Sequence, residues 1–173
     1  MELSGVTLKR LAPADWQTYR ELRLAALQLS SEAFGSTYQE ELPRGEEESR
    51  ARLAGSAIWA AFAGGKPVGM VALHRHARAR DRHKGEIFSM YVAPELHGRG
   101  IGRALLEAAL QAAREQGLEQ VTLYVVAGNQ AATALYSRCG FQVYGTEPKG
   151  IKYGPGRYGD YLLMVKFLDR PAL

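Results

Sequence analysis

The stretch of sequence that decides the fold is Val92-Ala93-Pro94-Glu95-Leu96-His97-Gly98-Arg99-Gly100-Ile101-Gly102-Arg103-Ala104-Leu105-Leu106. It predicts the end of a strand, a glycine-rich turn and the first turns of a helix. A helix that starts in this way directs several backbone N–H groups at one point, where the helix dipole adds partial positive charge. Because glycine lets an anion approach the backbone closely, the pattern indicates a site for phosphate or pyrophosphate. The alternative is a tight turn whose glycines serve packing alone.

Two common nucleotide-binding loops do not fit this stretch. A Walker loop needs Gly-Lys followed by Ser or Thr, and no such sequence follows the turn. The dinucleotide fingerprint needs a glycine spacing that differs from Gly98, Gly100 and Gly102, and it needs a supporting βαβ unit. An anion site at this turn would therefore be neither a Walker loop nor a dinucleotide-binding loop.

The composition is that of one globular domain. The chain has 173 residues, of which 46% are hydrophobic and 23% charged, as in single domains of about 100–200 residues. Cys139 is the single cysteine, which excludes an internal disulfide and a cysteine metal cluster. No apolar run approaches the ~20 residues of a membrane helix, and residues 1–5 lack a signal-peptide pattern. We therefore expect one domain over residues 1–173, in the reducing cytoplasm and without a membrane partner.

The net charge of +4 comes from one segment of the chain. Residues 74–84 contain five Lys or Arg and one Asp, which accounts for the whole excess. A dedicated nucleic-acid binder would be basic over a wider surface and would offer aromatic side chains for stacking, and this segment has none. We therefore expect no nucleic-acid partner. The segment is either a solvated turn or a surface that attracts an acidic partner.

Hydrophobic periodicity predicts an α/β chain with a mixed sheet. Strands are predicted at Val6–Arg10, Ile58–Ala63, Pro67–Leu73, Glu86–Val92, Gln120–Val126, Phe141–Gly145 and Tyr158–Phe167. Helices are predicted from Pro13 to Leu29 and at Glu46–Ala54, Ile101–Gln116 and Asn129–Arg138. Gln120–Val126 is apolar on both faces, which is typical of a central strand.

Two motifs in this order resemble the GCN5-related N-acetyltransferase (GNAT) family. The coenzyme A loop of that family runs Arg or Gln, two residues, Gly, one residue, and Gly or Ala; here it reads His97-Gly98-Arg99-Gly100-Ile101-Gly102. The second motif runs from Ala127-Gly128-Asn129 through Leu135-Tyr136 to Cys139-Gly140-Phe141. The resemblance covers roughly residues 57–167. It implies a mixed, mostly antiparallel central sheet flanked by helices, with acetyl-CoA as cosubstrate and no metal.

The resemblance also assigns site residues by position. In the family, the strand before the loop holds the pantetheine arm through its backbone, and the loop holds the pyrophosphate. The matching residues are Met90, Tyr91 and Val92 in the strand, and Gly98, Arg99, Gly100, Ile101, Gly102 and Arg103 in the loop. Asn129 matches a side chain that contacts the coenzyme. Tyr136 matches a tyrosine near the coenzyme sulfur, credited as the general acid that protonates the leaving thiolate; a packed core aromatic is the alternative.

Two departures from the family pattern bear on function. His97 stands where the family has Arg or Gln, and we expect coenzyme binding to survive because backbone N–H groups carry most of the contact. Relatives that acetylate ribosomal-protein N-termini resemble Leu-Glu-Val-Arg-Ala before the second motif. Here Tyr124 replaces that Glu and Val126 replaces that Arg. The ribosomal substrate therefore does not transfer to this chain.

The general base has to be inferred from chemistry. An amine acceptor of the lysine type titrates near ~10.4, so it arrives mostly protonated and its proton must be removed. By alternation, Glu86 shares one strand face with Phe88, Met90 and Val92, and its carboxylate can accept a proton directly or through water. Alternatively, Glu86 is a solvated strand start or pairs with Lys84.

The remaining candidates have simpler interpretations. His74 and His76 share a strand face with His83 nearby, but we expect no metal site there. Cys139 is expected to pack at a helix end, because no His is placed by sequence to activate it. Three residues of the last strand are candidates for shaping the substrate site: Tyr158, Asp160 and Tyr161.

We therefore predict a cytoplasmic N-acetyltransferase that transfers an acetyl group from acetyl-CoA to a primary amine by direct attack. The acceptor is a small amine, or the lysine or N-terminus of a protein. Ser30–Pro43 and Lys149–Tyr161 are the variable segments expected to form its cleft. The alternative function is a coenzyme A-binding sensor or interaction module without catalysis. Assembly is left open, with a homodimer among the options.

Overall fold

A computed structural model describes residues 5–168 of the chain. Its strands are β1 (Val6–Arg10), β2 (Ala57–Ala63), β3 (Lys66–Arg75), β4 (Lys84–Val92), β5 (Gln120–Val126), β6 (Gln142–Gly154) and β7 (Arg157–Phe167). Its helices are α1 (Trp16–Leu29), α2 (Tyr38–Glu41), α3 (Glu46–Gly55), α4 (Ile101–Glu115) and α5 (Gln130–Arg138). The predicted α/β class is confirmed.

One sheet contains the seven strands of residues 5–168, in the order β1-β2-β3-β4-β5-β7-β6. Antiparallel pairing joins β1 to β2, β2 to β3, β5 to β7 and β6 to β7. β4 and β5 are parallel, and their register joins Lys84–Glu86 to Gln120–Thr122. The predicted mixed, mostly antiparallel sheet is therefore confirmed.

The chain groups into two compact units. The first unit comprises Met1–His74 and Ile87–Ala109, and the second comprises Arg75–Glu86 and Leu110–Leu173, each within the described part of the chain. β4 and α4 contribute residues to both units. The single domain expected over residues 1–173 stays a prediction.

The core of the first unit lies where α1 and α3 meet strand residues of β2 and β3. α1 places Tyr19, Leu22 and Ala26 in this core at the spacing of an amphipathic helix. Tyr91 of β4 belongs to the same cluster, so the strand that leads to the glycine turn is anchored by its own buried side chain. Leu29, the last residue of α1, is 58% exposed and lies outside this core.

The central helix agrees with the pattern read from the sequence. α4 begins at Ile101, as predicted, and ends at Glu115, one residue before the predicted end. Gly117 follows with φ 70°, the left-handed conformation that commonly ends a helix. The basic turn is also as expected, since β3 ends at Arg75 and β4 begins at Lys84.

β6 is much longer than the predicted strand Phe141–Gly145. It continues to Gly154 through a segment that contains Pro148, and its register with β7 shifts between Glu147 and Ile151. Lys149, inside that shift, has φ 55°. A proline and a bulge are tolerated because β6 stands at the end of the strand order. The predicted end at Gly145 therefore lies inside β6, before this bulge.

β5 is buried mainly on one face, and not on both as predicted. Val121, Leu123 and Val125 are buried, whereas Tyr124 is 50% exposed. The Tyr124 ring lies 4.8 Å from the Tyr161 ring, centroid to centroid, at an interplanar angle of 52°. Ring-to-ring contact in such a tilted pair buries part of the Tyr124 ring, which explains an aromatic on the more open face.

Candidate functional site

The turn between β4 and α4 has the backbone geometry that the glycines predict. Gly98 has φ 78° and Gly100 has φ 82°, a region that side-chain-bearing residues rarely adopt. A Cβ on Gly98 would meet no heavy atom within 4 Å. The glycine at position 98 is therefore required by the direction of the backbone and not by lack of space.

The start of α4 supplies the donors that an anion needs. The N–H of Ala104 donates to the carbonyl of Gly100 at 3.0 Å, which closes the first turn of the helix. The N–H groups that precede such a first bond have no intrahelical acceptor, and the positive end of the helix dipole lies with them. The Arg103 side chain donates to Glu107 along the helix at 2.7 Å. The backbone of residues 98–103 therefore has the donors that an anion-binding element needs, and its role in binding stays a prediction.

His97 has a structural role that the sequence did not reveal. Its Nε2 lies 2.8 Å from the carbonyl oxygen of Val92, so this nitrogen carries the proton and donates it. This hydrogen bond joins His97, which directly precedes Gly98, to Val92, the last residue of β4. His97 therefore fixes the turn to the end of β4 through its side chain.

A left-handed residue interrupts β4 just before the turn. Ser89 has φ 52°, whereas a regular strand has a strongly negative φ. Phe88 and Tyr91 both pack against the core of the first unit, although residues three apart face opposite sides of a regular strand. The alternation is thus broken at Ser89. The prediction that Glu86, Phe88, Met90 and Val92 share one face is wrong, because it assumed an uninterrupted strand.

Gly69 of β3 allows β3 to approach the end of β4 closely. A Cβ at this position would lie 2.8 Å from the carbonyl oxygen of Tyr91 and 3.2 Å from Cδ1 of Leu105. Glycine inside a strand often marks such a close backbone approach. Sequence analysis missed this residue, and an isolated glycine between Val68 and Met70 was the available signal.

Glu86, the proposed base, lies in the second unit at the start of β4. It is half-buried and stands opposite Thr122 in the parallel register with β5. Among residues 5–168, the Lys84 ammonium bonds the Asp81 carboxylate at 3.2 Å and forms no ion pair with Glu86. One of the two alternatives, a Glu86–Lys84 ion pair, is therefore removed.

Asn129 and Tyr136 lie on α5, also in the second unit. Asn129 is the N-cap of this helix, and its Oδ1 accepts the N–H of Ala132 at 3.2 Å. Tyr136 is buried, and its ring makes an edge contact with Phe141 at 6.1 Å between centroids. Burial raises the pKa of the Tyr136 hydroxyl well above its ordinary value. The hydroxyl is therefore protonated at neutral pH, as a proton donor must be.

The residues expected to shape a substrate site lie on the hairpin of β6 and β7. A carboxylate oxygen of Asp160 accepts the N–H of Lys149 at 2.8 Å and so holds the bulge of β6. Tyr158 lies under two ammonium groups, those of Lys149 at 5.1 Å and Lys152 at 5.6 Å from the ring centroid. Burial raises the pKa of Tyr161. These side chains stabilise the hairpin itself.

Membrane-spanning helices and metal-binding clusters are absent from residues 5–168. No helix in that range is both long and apolar enough to cross a membrane. No group of three or more His, Cys, Asp or Glu side chains there is placed to hold a metal ion. Cys139 lies at the C-terminal end of α5, as predicted.

Comparison with known proteins identifies the family. The model of the acetyltransferase (GNAT) family matches residues 22–141, which include α4, the glycine turn and α5. The chain belongs to the GNAT family. The predicted family and its fold are thereby confirmed, since the matched region contains both motifs read from the sequence.

Relatives of this GNAT chain include longer proteins. It is 36% identical over 140 residues to a mycothiol acetyltransferase of Thermobispora bispora, a match that covers 79% of this chain and 46% of that relative. The chain thus spans less than half the length of this curated relative. Its likeness to that protein concerns one part of a larger molecule.

Solved structures of similar length match the whole fold. A GNAT-family acetyltransferase from Streptococcus pneumoniae has a TM-score of 0.84 at 25% identity, covering 95% of this chain and 99% of that one. A GNAT superfamily phosphinothricin acetyltransferase from Sinorhizobium meliloti, solved in complex with AcCoA, has a TM-score of 0.78 at 26% identity. That match covers 95% of this chain and 89% of the other.

Proposed function

We propose that the chain is an N-acetyltransferase that transfers an acetyl group from acetyl-CoA to a primary amine. The observation that carries the proposal is the turn from Gly98 to Arg103, whose two left-handed glycines lead into the N-terminus of α4. This arrangement suits a pyrophosphate, which needs several convergent N–H donors and a backbone without side chains in the way. Family membership and the similar acetyltransferase solved with AcCoA support the same ligand.

The end of β4 is proposed to hold the pantetheine arm and the acetyl group. Met90, Tyr91 and Val92 offer backbone donors and acceptors next to the turn. A backbone N–H of this segment polarises the acetyl carbonyl, and such a donor is most effective when it is fixed in advance. The buried Tyr91 side chain and the His97–Val92 bond provide that fixation.

The proposed reaction is direct attack without a covalent enzyme intermediate. The neutral amine nitrogen forms a bond to the acetyl carbon, the carbon–sulfur bond breaks, and coenzyme A leaves as a thiolate. The amine loses one proton and the thiolate gains one. Glu86 is proposed to accept the first proton, directly or through water, and the Tyr136 hydroxyl is proposed to face the thiolate.

The acidity of Tyr136 limits what it does for the thiolate. A model thiol has a pKa near ~8.5, and a tyrosine whose pKa lies above ~10 transfers its proton to that thiolate uphill by at least about 2 kcal/mol. Burial raises the pKa of Tyr136 further. Tyr136 therefore stabilises the leaving sulfur as a hydrogen-bond donor, and the proton balance is completed by the proton that the amine releases. Asn129 orients the start of α5 by capping it and can present its amide N–H₂ to the coenzyme.

The acceptor is proposed to be a small amine or the lysine or N-terminus of a protein. The relatives named mycothiol acetyltransferases are at least twice as long as the region matched here, so their substrate is one option among these. The enzyme is placed in the cytoplasm as one domain, in keeping with its single cysteine. A homodimer is tested by light scattering at several protein concentrations.

The decisive experiment measures release of the coenzyme A thiol from acetyl-CoA in the presence of a panel of small amines, lysine peptides and N-terminal peptides. We expect at least one amine to raise thiol release above hydrolysis, with the acetylated amine confirmed by mass spectrometry. Binding of acetyl-CoA without any amine-dependent release would favour the sensor or interaction module instead. Absence of binding by calorimetry would overturn both functions.

A further inference from the structure

A buried arginine touches the left-handed residue of β4. Arg23 of α1 is 4% exposed, and its Nη1 donates to Oγ of Ser89 at 3.4 Å. Its Nε donates to Oε2 of the buried Glu41 at 3.4 Å, and its guanidinium lies 5.6 Å from the centre of the Phe34 ring. A charge buried to this extent needs such compensation. One guanidinium thus connects α1, α2 and the point where β4 departs from regular strand geometry.

The conformation of Ser89 needs an external cause. Its φ of 52° is disfavoured for any residue with a side chain, and serine has no special preference for it. Such conformations persist where the surroundings over-determine them, and they cluster at functional sites. Phe88 and Tyr91 fix the backbone on either side by packing in the core. Arg23 fixes the Ser89 side chain itself.

We propose that Arg23 is a positioning residue for acetyl transfer, which holds Ser89 in its left-handed conformation and so directs the peptide N–H that follows it. The inference rests on the proposed function, because that N–H belongs to Met90, in the segment expected to polarise the acetyl carbonyl. A donor to a developing oxyanion must lie within about 2.7–3.1 Å of it. Rotation of the Ser89–Met90 peptide would move the donor out of that range, although no atom of Arg23 touches the substrate.

Glu41 of α2 supports the contact between Arg23 and Ser89. It pairs with Arg23 and also with Arg44, whose Nη1 lies 3.4 Å from the same carboxylate oxygen. The carboxylate therefore neutralises the guanidinium and fixes its orientation toward Ser89. Replacement Glu41→Gln keeps the shape and one acceptor, so we expect it to act in the same direction as loss of Arg23 and less strongly.

The first test reads the conformation of Ser89 and needs no activity. The Cα and Cβ chemical shifts of Ser89 in the isotope-labelled full chain report its backbone angles. We expect Arg23→Met to move these shifts from left-handed toward extended values. Arg20→Met is the matched control, because Arg20 is also on α1 and donates to the carbonyls of Leu42 and Arg44, and not to Ser89. It should leave the Ser89 shifts unchanged.

The second test is a double-mutant cycle on turnover. We expect Arg23→Met to lower kcat by about tenfold, a fraction of the 10²–10³ lost with a whole oxyanion donor, while KM for acetyl-CoA changes less than about threefold. Glycine adopts positive φ without help. In the Ser89→Gly background, the same Arg23→Met change should therefore lower kcat by less than about threefold. A role in folding alone would give equal losses in both backgrounds.

The outcomes separate this inference from the proposed function. Unchanged Ser89 shifts in a folded Arg23→Met protein, or equal kcat losses in the two backgrounds, would overturn the positioning role. If Arg23→Met does not fold, Arg23→Lys replaces it, since it keeps the charge but not the simultaneous reach to Glu41 and Ser89. If the parent chain acetylates no amine while the shifts respond as expected, the acetyltransferase function fails and Arg23 holds Ser89 for another purpose.

Discussion

Adding one methyl group at Gly69 of β3 tests whether the end of β4 binds the coenzyme, because Gly69 lies next to the Tyr91 carbonyl of β4. The Cβ of Gly69→Ala would lie 2.8 Å from the carbonyl oxygen of Tyr91, whereas ordinary contact begins at 3.4 Å. The carbonyl must therefore retreat by about 0.6 Å. Leu105 offers no relief, since its Cδ1 would be 3.2 Å away and its side chain is fully buried. The backbone of β4 has to move, and it moves at a position assigned to the pantetheine arm.

Two magnitudes follow from this geometry. Overpacking of a well-packed interior lowers the free energy of unfolding by about 1–3 kcal/mol. Displacement of the Tyr91 peptide also disturbs the proposed pantetheine contact of β4, which has the net value of one hydrogen bond, about 0.5–1.5 kcal/mol. That free energy corresponds to a rise in Kd for acetyl-CoA of about twofold to tenfold.

The assay combines denaturant unfolding with calorimetric titration of acetyl-CoA. Gly145→Ala is the matched control, because a Cβ there would meet Cδ1 of Leu163 at 3.5 Å, an ordinary contact. The control should change the stability by no more than about 0.5 kcal/mol and leave affinity unaltered. Parent-like stability of Gly69→Ala would refute the close approach of β3 and β4. A loss of stability with parent-like affinity would refute the ligand contact at Tyr91.

Three further substitutions test the glycine turn, the His97 side chain and the Tyr136 hydroxyl. Gly100→Glu should abolish acetyl-CoA binding in calorimetry, because it adds strain at φ 82° and a negative charge in the anion site; unchanged affinity in a folded variant contradicts the backbone cradle. His97→Arg should change Kd by less than about tenfold, since backbone donors carry the contact; a hundredfold change would reveal a direct role of His97. Tyr136→Phe removes the hydrogen-bond donor to the leaving sulfur and should lower the single-turnover rate by up to about 10²–10³ with nearly intact coenzyme affinity, and a parent-like rate from about pH 6 to 9 would make Tyr136 a packing residue. Burial raises the pKa of Tyr136, so above pH ~10 the folded parent binds more protons than the unfolded chain. The free energy of unfolding of the parent therefore falls as pH rises through this range. Tyr136→Phe lacks the ionisable hydroxyl and should show a smaller fall in unfolding titrations.

The glycine turn and α4 could be predicted from sequence because their causes are local. Gly98 and Gly100 adopt the positive φ that glycine alone adopts freely, and the apolar spacing from Ile101 onward fixes the helix and its start. The same holds for α5, where Asn129 precedes the helix as its cap. Motifs that depend on neighbours within one turn of the chain therefore predicted the glycine turn, the two helix starts and the family.

The shape of β4 could not be predicted, because its cause is distant in sequence. The residue types next to Ser89 in the sequence do not indicate a left-handed conformation. The prediction therefore assigned the side chains of β4 to alternating faces, as in a regular strand. The partner that holds it, Arg23, lies on another element. The sequence did contain one indication of this partner. Tyr19, Arg23 and Ala26 follow the spacing of the buried face of α1, so an arginine at position 23 predicts a buried charge.

β6 shows the opposite error, in which local signals were correct but misinterpreted. Pro148 and Gly150 indicate an interruption, and the register with β7 is indeed interrupted between Glu147 and Ile151. The interruption is a bulge within one strand and not its end, because an edge strand tolerates an unpaired residue that a central strand does not. Whether a strand lies at an edge is decided by the pairing of the whole sheet.

The end of β4 is held in place by contacts from several elements of the first unit. β3 approaches the Tyr91 carbonyl across Gly69, Arg23 holds Ser89, and His97 donates to the carbonyl of Val92. Each of these contacts is made by the chain itself, so a ligand that pairs with this strand gains from a backbone that the protein already constrains, and less of its binding free energy is lost on ordering the protein. A carbonyl-polarising N–H gains most from the same rigidity, because it need not reorient as charge develops. Gly69→Ala should therefore lower coenzyme affinity, and Arg23→Met should lower kcat, by more than substitution of the exposed loop arginines Arg99 and Arg103 does.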